Sequence, residues 1–411
     1  MKKASLFPGL TLLLFGLLFG TSTAIGQIFN TCDPCDPVEC QPCDPLSNSC
    51  DPCGSGRSGF FTPFLFSGWV EMGVRTNGNS NGSDNGPAST GSRRRTDFMM
   101  SQLYLSAEKE MNTRRGFDWG ACADFVYGAH AGSMQTYDGS FDAGWGDNRH
   151  GYSMSAYKLY GTIGYKDWSF KVGKFVTHIG WEGSASKNNI FYSHSYCYWI
   201  EPATHMGALA TYDVTDRLSV SAGWTAGMDS SFANPYGNSA IMTGLEYMLS
   251  DDATVYYWIN AGKQNDIFED ARDDYFIQSV CLEWALTKRF TYVHQYNLRN
   301  DNQLGGGRCS SYGLNNHFLY ALSDELTFGT RVEWLRDNCG GNDLYVGTPG
   351  DYWNVTWGLR WDPYTNLSVR PEVRYDWYNG AGTPFGGNVN AGIDGTRKDQ
   401  VSAGLGVLVS F

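Results

Sequence analysis

From about Phe60 to Phe411 the chain repeats one pattern: a stretch that alternates apolar and polar residues, a connection, and another such stretch. Near the end, Leu367, Val369, Val373, Tyr375 and Trp377 share one face, while Ser368, Arg370, Glu372, Arg374 and Asp376 share the other. A period of two marks a strand with different environments on its two sides. Leu326, Phe328, Val332 and Trp334 likewise oppose Thr327, Gly329, Arg331 and Glu333. The last strand puts Val401, Ala403, Leu405, Val407, Val409 and Phe411 on one face and Ser402, Gly404, Gly406, Leu408 and Ser410 on the other. One stretch fits poorly, because His294 falls on the apolar face of Phe290, Tyr292, Tyr296 and Leu298.

The alternation places strands near 64–75, 98–109, 118–128, 154–164, 167–176, 205–213, 217–227, 240–249, 253–262, 275–285, 289–298, 312–321, 325–335, 351–361, 367–377 and 400–410. Their connections alternate between short and long. Short ones include Tyr165-Lys166, Val214-Thr215-Asp216, Ser250-Asp251-Asp252 and Leu322-Ser323-Asp324; long ones include 76–97, 129–153, 177–204, 299–311 and 378–399. Membrane barrels have short periplasmic turns and long outer loops, and a soluble sandwich has no such two-class alternation. The expected fold is all-β: a transmembrane antiparallel up-and-down β-barrel of about 16 strands. An even strand count puts both termini on the periplasmic side.

Outside the repeat, Lys2 and Lys3 precede the apolar run Leu6–Phe19, and Ala24-Ile25-Gly26 supplies small residues. This reads as a signal peptide over residues 1–26, too short to span a bilayer comfortably. No other run approaches ~18 apolar residues, so lipid can be crossed only by a closed barrel. Residues 27–59 form a Cys/Pro-rich periplasmic segment, and 60–411 the barrel. The 50 Gly, 25 Tyr, 23 Phe and 14 Trp suit the aromatic girdles and frequent glycine of such a barrel. A net charge of -12 does not suit nucleic acid.

Residues 173–213 stand out. They read Gly173-Lys174-Phe175, Gly180-Trp181-Glu182, Phe191-Tyr192-Ser193-His194-Ser195-Tyr196 and Pro202-Ala203-Thr204-His205-Met206-Gly207. This signature resembles the OmpL-like β-barrel porin family of bacterial outer membranes. The resemblance covers the barrel from about Phe60 and omits the Cys-rich segment. It implies a porin-like channel in the cell outer membrane and no particular solute.

Read from its residues alone, 177–204 is a long connection without alternation, yet rich in aromatics (Trp181, Phe191, Tyr192, Tyr196, Tyr198, Trp199), which argues against disorder. In general porins the third outer loop folds into the pore. By that analogy the loop is the expected constriction, with Glu182, Lys187, His194, Glu201 and His205 as candidate pore-lining groups. Arg331, Glu333, Arg360, Arg370, Glu372, Arg374 and Asp376 are the candidates on the facing wall. The alternative role for the motif is to pack the loop on the barrel rim.

Enzyme chemistry has little support. Ser193-His194-Ser195 are adjacent in sequence, whereas a triad needs groups that meet in space. Asp266, Glu269, Asp270, Asp273 and Asp274 crowd one outer loop, without an EF-hand spacing, and read as a solvated acidic loop rather than a Ca²⁺ site. Cys32 with Cys35, Cys40 with Cys43, and Cys50 with Cys53 form three Cys-x-x-Cys units. They favour disulfides in an oxidising compartment, with zinc and intermolecular crosslinking as alternatives. Cys309 and Cys339 lie on neighbouring outer loops and form a further candidate pair. No catalytic residue, metal or cofactor is expected. Expected partners are outer-membrane lipid and lipopolysaccharide, the barrel-assembly machinery and, by analogy with general porins, two further copies in a homotrimer. The leading function is passive diffusion of small hydrophilic solutes or ions. The alternative is a surface barrel with an occluded lumen and a structural or adhesive role.

Overall fold

The computed structural model describes residues 64–78, 96–148, 151–235, 237–264, 273–303, 307–339, 348–386 and 395–411. The signal peptide over 1–26 and the Cys/Pro-rich segment over 27–59 lie outside the described residues. The disulfide candidates Cys32, Cys35, Cys40, Cys43, Cys50 and Cys53 therefore lie outside them too, as do Asp266, Glu269 and Asp270 of the acidic loop. In chain order the strands are β1 (Leu65–Asn77), β2 (Thr96–Lys109), β3 (Phe117–Gly128), β4 (Ser153–Tyr165), β5 (Trp168–Val176), β6 (Thr204–Thr215), β7 (Leu218–Thr225) and β8 (Ser239–Ser250). They continue as β9 (Ala253–Gln264), β10 (Asp273–Thr287), β11 (Phe290–Gln303), β12 (Gly307–Ala321), β13 (Leu326–Asp337), β14 (Gly350–Tyr364), β15 (Leu367–Asn379) and β16 (Asp399–Ser410).

Each strand pairs with its sequence neighbours, and β16 returns to β1, so the 16 strands close into one antiparallel barrel. The seam runs from Trp69↔Ser410 to Asn77↔Ser402. Gly68 and Phe411 exchange two backbone hydrogen bonds of 2.9 Å across it. Closure leaves no strand edge unpaired, which lipid requires.

Alternation sets the two surfaces. On β15, Ser368, Arg370, Glu372, Arg374 and Asp376 are buried while Val373 and Tyr375 are exposed. Phe66, Phe98, Ile241, Trp357 and Tyr364 are also exposed on the outside. A soluble protein avoids an apolar surface of that extent, whereas a lipid-facing belt consists of it.

The sequence reading misses one region. The connection 299–311 is not a long loop: β11 and β12 run on in register through Asp301↔Cys309 to Gln303↔Gly307. Arg299, Asn300 and Asp301 are polar on both faces, which hides the alternation while the ladder continues. Backbone pairing needs no apolar face once a strand rises past the lipid.

The lumen holds the molecule's core. Among the described residues, four buried apolar clusters lie against the inner wall. The loop 177–203 enters every one: Ile179 joins Phe175, Met242 and Trp258; Tyr196, Cys197 and Ile200 join Leu335 and Tyr352. Ile190 and Phe191 join Leu319, and Ala185 packs beside Tyr104 and Tyr157.

Candidate functional site

The loop has little regular structure of its own, so its backbone polar groups need partners. Local side chains supply some. Ser195 Oγ accepts the Tyr198 N–H at 3.1 Å and caps the helical turn Tyr196–Trp199. Asn189 bridges Gly183 through both ends of its amide, at 3.2 and 2.7 Å. The Thr177 N–H reaches the Ala203 carbonyl at 3.1 Å and closes the loop's base.

The barrel wall supplies the rest with charged groups. Glu372 Oε2 accepts the N–H groups of Tyr192 and Ser193 at 2.9 and 3.1 Å. Glu333 Oε1 accepts the Cys197 N–H at 2.6 Å. Asp376 accepts the Tyr196 hydroxyl at 2.7 Å. Arg331 donates to the Ser193 carbonyl at 2.9 Å and to Glu182 at 2.8 Å. Arg374 donates to the His194 carbonyl at 2.6 Å, and Arg370 to the carbonyls of Ser186 and Asn189 at 2.7 and 2.9 Å. Wall carboxylates thus take the loop's N–H groups and wall arginines take its carbonyls. Hydrogen bonds to charged groups are about twice as strong as neutral ones.

Aromatic side chains fix the loop by shape. The Tyr192 ring lies over Gly73 of β1 and Gly404 and Gly406 of β16, and its hydroxyl meets Ser101 Oγ at 2.9 Å. Phe191 lies over Gly329 of β13 and Gly358 of β14. A Cβ at Gly406 would stand 2.7 Å from the Tyr192 ring, and one at Gly358 2.9 Å from Phe191. These wall glycines are sockets, and any larger residue would push the rings out. Gly180 has φ +91°, and a Cβ there would overlap the Glu201 carboxyl.

The charges follow from this packing. Burial pushes the Glu182 carboxyl up, but Arg331, the neighbouring histidines and the Ser195 N–H outweigh it and hold it down at about 2. Burial lowers His194 to about 4 and His130 to about 3, helped by nearby arginines. Burial raises Glu201 well above the usual carboxylate range, with Glu182 and Glu333 adding to it.

The expected site residues thus fall into groups. Glu182, His194, Arg331, Glu333, Arg370, Glu372, Arg374 and Asp376 come together as the closed contact between loop and wall, shielded from water. His205 is apart at the loop's root, with its ring nitrogens 3.1 Å from the Thr177 hydroxyl and the Gly227 carbonyl. Glu201 turns toward β11, accepting from Gln295 and Asn297. Lys187 is exposed, and Arg360 reaches its carbonyl at 3.0 Å. Cys309 and Cys339 are joined in a disulfide between β12 and the end of β13.

Among the partners that sequence reasoning misses, three stand out. Glu71 of β1 pairs with Arg370 across the seam. Gln102 of β2 accepts from Ser186 Oγ at 3.0 Å. His130 lies 6.3 Å from the rings of both Tyr192 and His194. Glu71 stands on the polar face of its strand, so alternation could have found it; nothing in the sequence marks the other two.

Comparison with known proteins agrees with this architecture. The family model described as "Putative beta-barrel porin-2, OmpL-like" matches residues 63–411. OmpT, an outer-membrane protein of Vibrio cholerae, is similar at 13% identity and TM-score 0.55, over 85% of this chain and 99% of its own. The anion-selective porin of Comamonas acidovorans is similar at 8% identity and TM-score 0.59, over 85% and 99%. The outer-membrane channel DcaP of Acinetobacter baumannii is similar at 9% identity and TM-score 0.56, over 85% and 97%. At these identities the solved structures show the fold alone. No curated protein matches.

Proposed function

The chain belongs to the OmpL-like β-barrel porin family and is a channel of the bacterial outer membrane, and on that premise we propose that it passes small hydrophilic solutes or ions by passive diffusion. The opening is set by loop 177–203. A channel rather than an enzyme is what the family and fold support. The observation that carries the reading is the tethering of this loop across the lumen, from Gln102 on β2 to Gln295 and Asn297 on β11, nearly opposite in the strand order.

In this reading the twelve candidate residues divide by role. Lys187, with Arg360 beside it, meets the passing solute, while Glu201 is turned into the wall at β11. The buried arginines and carboxylates hold the loop at its depth. Pairing of opposite charges leaves little net field, so ion selectivity is weak. A signal peptide over 1–26 and a disulfide-stapled periplasmic segment over 27–59 complete the proposed chain. OmpT of Vibrio cholerae is described in a trimer form, and a homotrimer is proposed here by analogy.

Single-channel recording of a barrel lacking residues 183–198 tests the constriction. A larger conductance than the intact protein is expected, and an unchanged one overturns it. The loop's contacts on opposite walls favour one rival, a lumen closed in the resting protein with a structural or adhesive surface. A refolded intact barrel that carries no ion current in planar bilayers would support that rival.

A further inference from the structure

On the outward face of β12 to β15, near the long-loop end, five aromatic side chains form an unbroken row. Tyr312, Trp334, Trp353, Trp377 and Tyr375 follow one another with ring centres 5.5 to 6.0 Å apart. Trp353 and Trp361 stand near the two ends of the same face of β14. The strand between them is about 27 Å long, or about 20 Å across a bilayer once tilted, which is the scale of the apolar band. The row therefore lies at the headgroup level of the outer leaflet.

The next rung toward the loops is polar. Arg336 stands beside Asp351, and Asp351 beside Asn379. Trp377 pairs with Asp399, and the Tyr378 N–H reaches the Lys398 carbonyl at 2.7 Å, which carries the register on to Arg397 beside Asn379. Arg336 and Arg397 thus close the two ends of this rung, three strand spacings or about 14 Å apart. Their side chains are 35% and 50% exposed. Arg336 donates to Asn338 and Asp351, and Arg397 to Asp399, while Trp334 Nε1 also serves Asp351. Among the described residues, Nη2 of Arg336, Nε and Nη1 of Arg397 and the indole N–H groups of Trp353 and Trp377 meet no acceptor. Asp351 and Asp399 are each engaged by a guanidinium and an aromatic side chain of the same patch.

We propose that this patch binds the phosphorylated glycolipid of the outer leaflet, a disaccharide with a phosphate at each end. Arg336 and Arg397 take the two phosphates, and the sugars and the first acyl carbons lie on Trp334, Trp353 and Trp377. The unsatisfied groups are all donors, and a phosphate offers only acceptors. Guanidinium recognises it through paired, charge-assisted hydrogen bonds. A zwitterionic phospholipid brings one phosphate and an ammonium, so it cannot serve both ends of the rung. The inference rests on the outer-membrane location and not on what the lumen passes.

The test uses the full-length protein refolded in detergent without bacterial lipid, with its heat-unfolding midpoint followed as diphosphoryl lipid A is added. Binding to the folded barrel should raise the midpoint with concentration. Arg336→Gln combined with Arg397→Gln should weaken the apparent affinity at least tenfold, since a charged hydrogen bond is lost at each end. Trp353→Leu should weaken it several-fold. Equal affinity of the parent and the double arginine variant would overturn the site. So would equal affinity for dephosphorylated lipid A, or displacement of the lipid by an excess of inorganic phosphate. A parent whose midpoint does not respond to lipid A would overturn it as well. Potassium chloride conductance of the same variants should match the parent, so the porin reading stands or falls separately.

Discussion

Arg331 on β13 holds Glu182 of the lumenal loop at 2.8 Å, and both side chains are closed off from water. The two lie 149 residues apart in sequence. Removing one partner of a buried pair strands the other charge, at about 3–5 kcal/mol, whereas removing both costs far less. Arg331→Met is therefore expected to free the loop and raise single-channel conductance and its noise. Adding Glu182→Gln should return conductance most of the way. A double variant as open as the single one would show that the pair does not hold the loop.

Tyr192 gives a prediction that depends on shape alone. Its ring fills the depression left by Gly73, Gly404 and Gly406. Gly406→Val closes that socket, and an overpacked site costs about 1–3 kcal/mol. The ring then leaves, and with it the loop segment that carries Lys187. Trypsin added to purified protein should cut after Lys187 in the variant and spare it in the parent. Equal resistance of both proteins would mean that the socket does not position the loop.

These two contacts show where the sequence is legible and where it is not. The arginines and carboxylates of β15 are legible as lumenal because Leu367, Val373 and Tyr375 alternate with them. Loop 177–203 stands out because it breaks that alternation yet is aromatic. Its partners cannot be read, because contact across a barrel has no local signature: Arg370 meets Glu71 from 299 positions away. Most of the charges expected to face water instead satisfy the backbone of a loop without strands. Alternation tells that a charge faces inward, but what fills the inside is decided by the fold.

Acid should loosen the same contact. His194 stacks on Tyr198 at 3.9 Å, with His130 6.3 Å away on the neighbouring loop. Burial lowers them to about 4 and about 3, from an ordinary value of 6.5. The packed loop therefore prefers both rings neutral. That contribution is fully present above pH 6.5 and is lost progressively as pH falls toward the lowered values. A tenfold change in proton affinity corresponds to about 1.4 kcal/mol, so a few kcal/mol are at stake below pH 4. Conductance of the intact protein should rise between pH 6 and pH 4, and His130→Gln with His194→Gln should flatten the rise. An equal rise in the double variant would assign it to other groups.

His294, which breaks the alternation in the sequence, faces outward in the middle of the lipid-facing belt. Its Nδ1 lies 2.8 Å from Asn316 Oδ1, which also accepts the Tyr292 hydroxyl at 2.8 Å. In register, His294 stands beside Asn316 between apolar rungs, Tyr292↔Phe318 below and Tyr296↔Leu314 above. A polar pair in an apolar surrounding is asymmetric in its energetics. Removing one member leaves the other unsatisfied, at about 1–3 kcal/mol, while replacing both with apolar groups of similar shape is nearly neutral or stabilising. Each single variant, His294→Leu and Asn316→Leu, should therefore lower the midpoint of urea unfolding in lipid vesicles. The double variant should recover it or exceed it. If the double variant is the least stable of the three, these side chains meet protein rather than lipid, and the β11–β12 face belongs to a contact between barrels.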